Sequence, residues 1–309
     1  MVECKKAISD PEVNGDLDKA TEWLRKHGSA KMSSKLAGRD ASEGLVGICI
    51  SDGSGDSNSN AASATASASI VRVSSETDFA SRSPDFSDLV ETVAGATLEM
   101  NTNTNTNTNT NNDNDNEISV DALKSLPNVQ KALDDAIISI RENLQIASAS
   151  TIIASRPNSV LAGYVHGKIF TDKSAGTAAA IVELAPIDVN DNDNGNGNGN
   201  SIKTHEEIVN IGKKLAMHIV AARPQYMTPS DVPDDVVQKE KDILMEQMAD
   251  SGKPPQILEK IVTGRLGKFY QGVCLVEQSH MLEDGNPKVV KALKGHGLEL
   301  VSYKNISIQ

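Results

Sequence analysis

Residues 70–97 read IVRVSSETDFASRSPDFSDLVETVAGAT, a β-favouring run that passes through a short polar turn into an amphipathic helix. Ile70 to Ser74 carries the branched residues that suit a pleated, half-buried strand. Ser83 stands where a helix needs a cap, and Pro84 occupies the first helical position, where a missing N–H costs nothing. Phe86, Leu89, Val90, Val93 and Thr97 follow at spacings of three and four and share one face. Upstream, Leu45 to Ile50 is a second β-favouring run, and the polar tract between the two runs sits where a hairpin loop belongs. The stretch predicts a hairpin followed by a helix, an α+β unit whose sheet buries one face against that helix.

The second half repeats this order. Val129 to Ile146 is helical in pattern, with Leu133, Ile137, Ile140 and Leu144 on one face. Val160 to Phe170 and Ala178 to Ile187 are β-like, and Thr204 to Ala222 is helical again. A two-unit α+β core with antiparallel sheets follows. From Pro229 to Phe269 two apolar stripes flank Ser251-Gly252-Lys253-Pro254-Pro255, the pattern of an antiparallel helical hairpin. Gly264 and Gly267 each weaken its second arm by about 1 kcal/mol relative to alanine, which predicts fraying or a bend unless that arm is packed. Gly297 to Ile308 alternates apolar and polar residues, as a strand returning to the core would. Near the start, Cys4 to Ile8 reads as the end of one helix. Between Gly15 and Gly28 a second is expected, capped by Asp16, with Leu17, Ala20 and Leu24 as its stripe and Trp23 beside them.

Three tracts follow no folding pattern: Ser51 to Ser69, Asn101 to Asn116, and the Asn-, Asp- and Gly-rich string around Asn190 to Asn200. Such polar repeats bury too little apolar surface to offset the entropy of ordering them. They are expected to be disordered insertions at 51–69, 101–116 and 188–201. The expected domains are a helical module over 1–40, core halves over 41–116 and 117–228, a helical hairpin over 229–270 and a return to the core over 271–309.

The chain has 309 residues and a formal net charge of −12. An acidic chain gains nothing from displacing the counterions of a phosphate backbone, so a protein partner is expected and a nucleic acid is not. Cys4, Cys49 and Cys274 are odd in number and far apart, giving neither a disulfide framework nor a zinc site. No apolar run reaches the roughly 18 residues of a membrane span. The GxxxxGKS/T phosphate loop, the HExxH pair and the GxSxG elbow are all absent from the sequence. No catalytic residue, cofactor or metal is therefore expected.

On their own, Thr77-Asp78-Phe79 read as a helix-entry turn with a core aromatic. His218 falls on the apolar face of Ile208, Ile211, Leu215 and Ala222, the place of a satisfied core histidine. His166 reads as a structural strand histidine, and Lys5 as a solvated charge.

Distributed runs change this reading. Glu3-Cys4-Lys5-Lys6-Ala7 with Asn14-Gly15-Asp16 and the Trp23-Leu24-Arg25-Lys26 helix resembles the ubiquitin-associated-like N-terminal module of the elongation factor Ts family. Glu76-Thr77-Asp78-Phe79-Ala80 is similar to that family's most characteristic motif. Arg141-Glu142-Asn143, Tyr164-Val165-His166-Gly167 and Ala216-Met217-His218-Ile219-Val220-Ala221-Ala222 resemble its later signatures. Ser251-Gly252-Lys253-Pro254, with Gly264-Arg265 and Lys268-Phe269, is similar to its helical hairpin. The motifs stand in family order across nearly the whole chain.

The resemblance implies a factor, not an enzyme, that binds elongation factor Tu in its GDP-bound and nucleotide-free forms and accelerates GDP release. It implies that Asp78 and Phe79, with Thr77, push between elements of the GTPase near its magnesium ion, that Lys5 contacts the GTPase domain, and that His166 and His218 are further partner contacts. The family's first helix and the Thr-Gly-Ala-Gly turn before Cys4 have no counterpart, so N-terminal truncation is expected. The insertions are unusual for bacterial members and imply an organellar form, mitochondrial or alternatively plastid, with a targeting segment upstream of Met1. Two other readings stay open: an interaction protein using the N-terminal helical module and the Asn-rich segments, and a small-molecule enzyme on an α+β fold.

Overall fold

The computed structural model describes residues 2–20, 22–24, 36, 38–52, 65–103, 117–156, 158–187, 204–247 and 255–308. The centres of the three polar tracts and the tip of the expected helical hairpin lie outside the described residues. The described chain divides into two compact units, Met1–Ile153 with Gly163–Ile181 and Lys304–Gln309, and Ala154–Ala162 with Val182–Tyr303.

The first unit begins with α1 (Val2–Ile8) and helical residues at 17–20 and 22–24. Ala7, Val13 and Ala20 are buried, with Trp23 and Leu24 packed against them. The Trp23 indole donates to Asp10 Oδ2 at 2.9 Å. Asp16 caps as its position predicts, accepting from the backbone of Asp18 and Lys19.

Strands β1 (Glu43–Ser51) and β2 (Ser67–Ser75) form the expected hairpin, antiparallel from Glu43↔Ser75 to Ser51↔Ser67. The polar tract expected over 51–69 is thus shorter at both ends. Ser67 to Ser69 belong to the strand, and buried Ser69 satisfies its hydroxyl by donating to the Ala94 carbonyl at 2.7 Å. After the four-residue α2 (Asp78–Ser81) comes α3 (Pro84–Asn103), with the Phe86 N–H donating to the Ser83 hydroxyl at 3.2 Å. Because α3 runs to Asn103, the second tract also starts later than 101.

Next come α4 (Val120–Lys124) and α5 (Pro127–Ile140), and here the sequence expectation fails. The helix expected to reach Ile146 stops at Ile140, because Arg141 turns left-handed at φ 65° while its N–H still donates to the Ile137 carbonyl. Gln145–Ile153 is instead strand β3, antiparallel to β2. Leu144 still enters the core, so its burial matches both readings while its backbone matches one, and Ile146 joins it there as the strand pattern requires. The core boundary expected at 116/117 therefore falls inside this unit, where β3 completes the sheet.

Strands β4 (Val160–His166), β5 (Ala175–Gly176) and β6 (Ala178–Pro186) follow. One sheet has the order β3-β2-β1-β5. Helix α3 lies on it and packs against α5. Phe86, Leu89, Val90 and Val93 meet Leu45, Val71 and Val73 from the strands and Leu123, Val129 and Ile137 from the flanking helices. Each such side chain contributes about 1.5–3 kcal/mol when fully buried.

The second unit carries α6 (His205–Ala222), opened by a capping box in which Thr204 and Glu207 satisfy each other's backbone N–H. Arg223 closes it in the left-handed region. At Gly212 an added Cβ would lie 2.6 Å from the Ala162 methyl, so the helix backs closely onto the strands. Helices α7 (Asp234–Glu246) and α8 (Pro255–Val273) pack together through Leu244 and Val262, as the hairpin pattern predicts. Helix α8 runs continuously across Gly264 and Gly267, with Val262 packed against Leu244 as the exception to fraying requires. Helix α9 (Val289–Gly295) leads into β7 (Leu298–Ser307), and the second sheet has the order β4-β6-β7. Among the described residues, no helix is long and apolar enough to cross a membrane.

Gly44 marks a close approach near one end of the β1–β2 hairpin. Its φ is +139°, and a Cβ there would sit 2.0 Å from the Val73 carbonyl oxygen. Gly44→Ala should therefore destabilise the chain by at least ~2 kcal/mol, whereas Gly95→Ala, on α3 with open space around it, should stabilise by ~0.5–1 kcal/mol. Urea midpoints of the two variants against the parent check both signs.

Candidate functional site

Strand β2 is paired on both sides and delivers the chain to Glu76 at a fixed angle. Thr77 is extended, at φ −129° and ψ 157°, and caps α2 by accepting from the Ala80 N–H at 3.4 Å. Its hydroxyl proton is committed elsewhere, to Glu142 Oε1 at 2.6 Å, while its backbone N–H donates to Glu142 Oε2 at 3.0 Å. Alongside, the Asn143 N–H donates to Glu76 Oε1 at 2.7 Å, and the Asn143 side chain donates to the Arg39 carbonyl at 2.7 Å. The left-handed residue Arg141 aims the 142–143 segment at this point. Two distant motifs, one over 76–80 and one over 141–143, thus meet at one turn.

What the turn presents is unusual in one respect. Phe79 is 76% exposed, while Phe86, seven residues on, is fully buried. The reading of Phe79 as a core aromatic is therefore wrong. A lone exposed apolar side chain is ordinary on a protein surface. Here, though, the ring sits on a single helical turn held by several side-chain hydrogen bonds. Ser81 Oγ donates to the Asp78 carbonyl at 2.7 Å, and Ser75 Oγ to the Thr77 carbonyl at 3.0 Å. Arg82, to which the sequence reading gave no role, donates to Asp78 Oδ2 at 2.9 Å, and its guanidinium carbon lies 6.0 Å from the Phe79 ring centre. At this exposure an ion pair contributes at most about 1 kcal/mol, so Arg82 orients the pair more than it stabilises the fold. The signal for it was the i, i+4 spacing from Asp78. Glu142 was legible only as part of a motif, without a task.

The other expected contacts stand apart from this turn. His166 ends β4 with its imidazole exposed, 3.3 Å from the Tyr164 hydroxyl, and its carbonyl accepts from the Thr177 N–H at 2.8 Å. Lys5 is exposed on α1. Among the described residues, no hydrogen bond or ion pair links either one to the 76–82 segment. His218 is 1% exposed, so the direct partner contact implied for it is closed to its side chain as folded. Its Nδ1 accepts from the Met281 N–H at 3.4 Å, which leaves the proton on Nε2, facing Gln278 Oε1 at 3.1 Å. Buried His280 stacks on it at 5.2 Å and accepts from the Leu282 N–H through its own Nδ1 at 3.2 Å. The turn held from beneath in this way exposes Met281 and Leu282.

A groove of about 420 Å³ between α3 and α5 is lined by Asp85, Asp88 and Asp135. Asp85 already accepts from the Ser139 hydroxyl, and Lys173 Nζ lies 2.6 Å from Asp88 and 3.2 Å from Glu91. Those contacts hold the Lys173 ammonium well above the ordinary lysine range. No cluster of three or more metal-ligating side chains occurs among the described residues.

The sequence model of the family described as Elongation factor TS matches residues 76–308, beginning at the first residue of the clamped turn. The elongation factor Ts of Rhodopseudomonas palustris (strain TIE-1) is 31% identical over 298 residues, covering 95% of this chain and 80% of that protein. That of Rhodospirillum rubrum is 33% identical over 307 residues, with 97% and 82% covered. That of Bradyrhizobium sp. is 32% identical over 294 residues, with 95% and 80% covered.

The two stacked imidazoles have a measurable consequence. Burial first, and then the neighbouring His218, hold His280 down from 6.5 to about 4, and burial lowers His218 as well. The unfolded chain takes up these protons near the ordinary histidine value while the fold resists them. Stability is therefore complete above about 6.5 and is lost as pH falls towards about 4. Urea denaturation at pH 7.5, 6.5 and 5.5 should show a declining midpoint, and His280→Phe should make that decline shallower.

Proposed function

This chain belongs to the elongation factor Ts family, and from that premise we propose that it is a nucleotide-exchange factor for elongation factor Tu, acting by binding and without covalent chemistry. The observation that carries the proposal is Phe79, 76% exposed beside the Asp78 carboxylate on a turn clamped to the rest of its unit. A preorganised aromatic loses little conformational entropy on insertion and contributes about 1.5–3 kcal/mol once its face is buried in a partner.

The mechanism we propose uses that energy for displacement. Magnesium bridges the nucleotide phosphates to protein ligands and requires near-ideal octahedral geometry. Phe79 entering the GTPase, with Asp78 offering a competing carboxylate to its polar groups, shifts those ligands. Ion and GDP then weaken together. Because coupling between sites is reciprocal, GDP weakens the factor as much as the factor weakens GDP, and incoming nucleotide releases the factor. The factor binds both the GDP-bound and the nucleotide-free GTPase, most tightly the latter. Thr77 sets the tip, Lys5 and His166 add contacts, and His218 contributes through the Met281–Leu282 turn that it supports.

An acidic net charge of −12 supports a protein partner over a nucleic acid. We further infer a mitochondrial setting, with a plastid as the alternative, a reading that rests on the three polar insertions.

Release of fluorescent GDP from a bacterial-type elongation factor Tu tests the function. The intact chain should accelerate release, and Phe79→Ala should lower kcat/KM for exchange by roughly tenfold to a hundredfold, the equivalent of losing ~1.5–3 kcal/mol of contact. Asp78→Ala should act in the same direction. Unchanged release with the intact chain overturns the proposal.

A further inference from the structure

We infer that Glu142 is the positioning residue of the Asp78–Phe79 tip, holding it in the orientation that docks while touching no partner itself. The inference rests on the exchange reading above and extends it to a residue 65 positions away in the sequence.

The geometry is specific. Both Glu142 oxygens are used on one residue, Oε1 by the Thr77 hydroxyl at 2.6 Å and Oε2 by the Thr77 N–H at 3.0 Å. A threonine hydroxyl has one proton and two lone pairs. With its proton directed at Glu142, a lone pair is left to face the Ala80 N–H, which is the bond that caps α2. Glu142 therefore fixes the rotor of the capping hydroxyl, and the cap fixes the single turn that carries Asp78 and Phe79. A helix of four residues has no internal cooperativity to replace this support. The neighbouring bond from the Asn143 N–H to Glu76 is independent of the Glu142 side chain. Together with the β2–β3 pairing it keeps the two segments together when Glu142 changes. Loss of Glu142 should release the tip and leave the sheet standing.

The test measures GDP release from bacterial-type elongation factor Tu with the full chain carrying Glu142→Ala, Glu142→Gln or Glu142→Asp, each alone and combined with Phe79→Ala. Glu142→Ala should lower kcat/KM about tenfold, the scale of a lost cap, with a thermal midpoint close to the parent's. Glu142→Gln should recover most of the activity. Its oxygen accepts from the Thr77 N–H and its NH₂ donates to the Thr77 hydroxyl, which keeps a lone pair for Ala80. Glu142→Asp retains the charge but is one methylene short, and should recover little. In the Phe79→Ala background, Glu142→Ala should change exchange by less than about twofold, because the part it positions is already gone.

Three outcomes overturn the inference: parental exchange by Glu142→Ala while Phe79→Ala is impaired, better recovery by Asp than by Gln, or independent multiplication of the two defects. Asp surpassing Gln would mean that the carboxylate charge itself meets the partner. If Phe79→Ala is silent, the tip reading has failed and the positioning role falls with it.

Discussion

Two carboxylates hold the working end of the first unit together, each accepting from the backbone of the other's neighbour. Glu142 takes the Thr77 N–H, and Glu76 takes the Asn143 N–H. The exchange joins the end of a central strand to the exit of a helix, so neither segment can shift without breaking a charge-assisted bond. Everything beyond it is short: one capping residue, four helical ones, Arg82, and a serine that caps the next helix. The orientation of Phe79 is thus set by β2 and by the 141–143 turn together, and α2 itself supplies little of the stiffness.

The second unit repeats this construction with different chemistry. Met281 and Leu282 are displayed on a turn whose backbone N–H groups are accepted by two stacked imidazoles. In both units an exposed apolar tip adjoins or includes backbone N–H groups that side-chain acceptors satisfy. An imidazole performs this task only while neutral, the state that burial favours for His218 and His280.

Much of the architecture was legible because it rests on local signals. Ser83 and Pro84 announce α3, Thr204 and Glu207 announce α6, and the apolar stripes around Leu244 and Val262 announce a hairpin. Strand β3 was hidden by two coincidences. Leu144 continues the helical spacing of Ile137 and Ile140, and the stop before it is Arg141, an arginine in a conformation that sequence assigns to glycine or asparagine. Ser67 to Ser69 were hidden differently, since a polar tract and a serine-bearing strand look alike until the helix carbonyl that accepts from Ser69 is known. At the site, the motif over 76–80 was readable, but its clamp was not, because no local pattern specifies which carboxylate 65 residues away will arrive. The same holds for His218, whose burial was legible from its helix face while its stacking on His280 was not.

The β1–β2 hairpin also sets its two ends far apart. One end closes at Ser51↔Ser67 and the other at Glu43↔Ser75, eight strand steps or roughly 27 Å away. Each doubling of a flexible connection beyond Ser51 costs only about 0.6 kcal/mol, and a register pinned on both edges of β2 does not transmit that change along the strand. That separation makes the 51–67 connection a natural place to graft a reporter, far from the turn that carries Phe79.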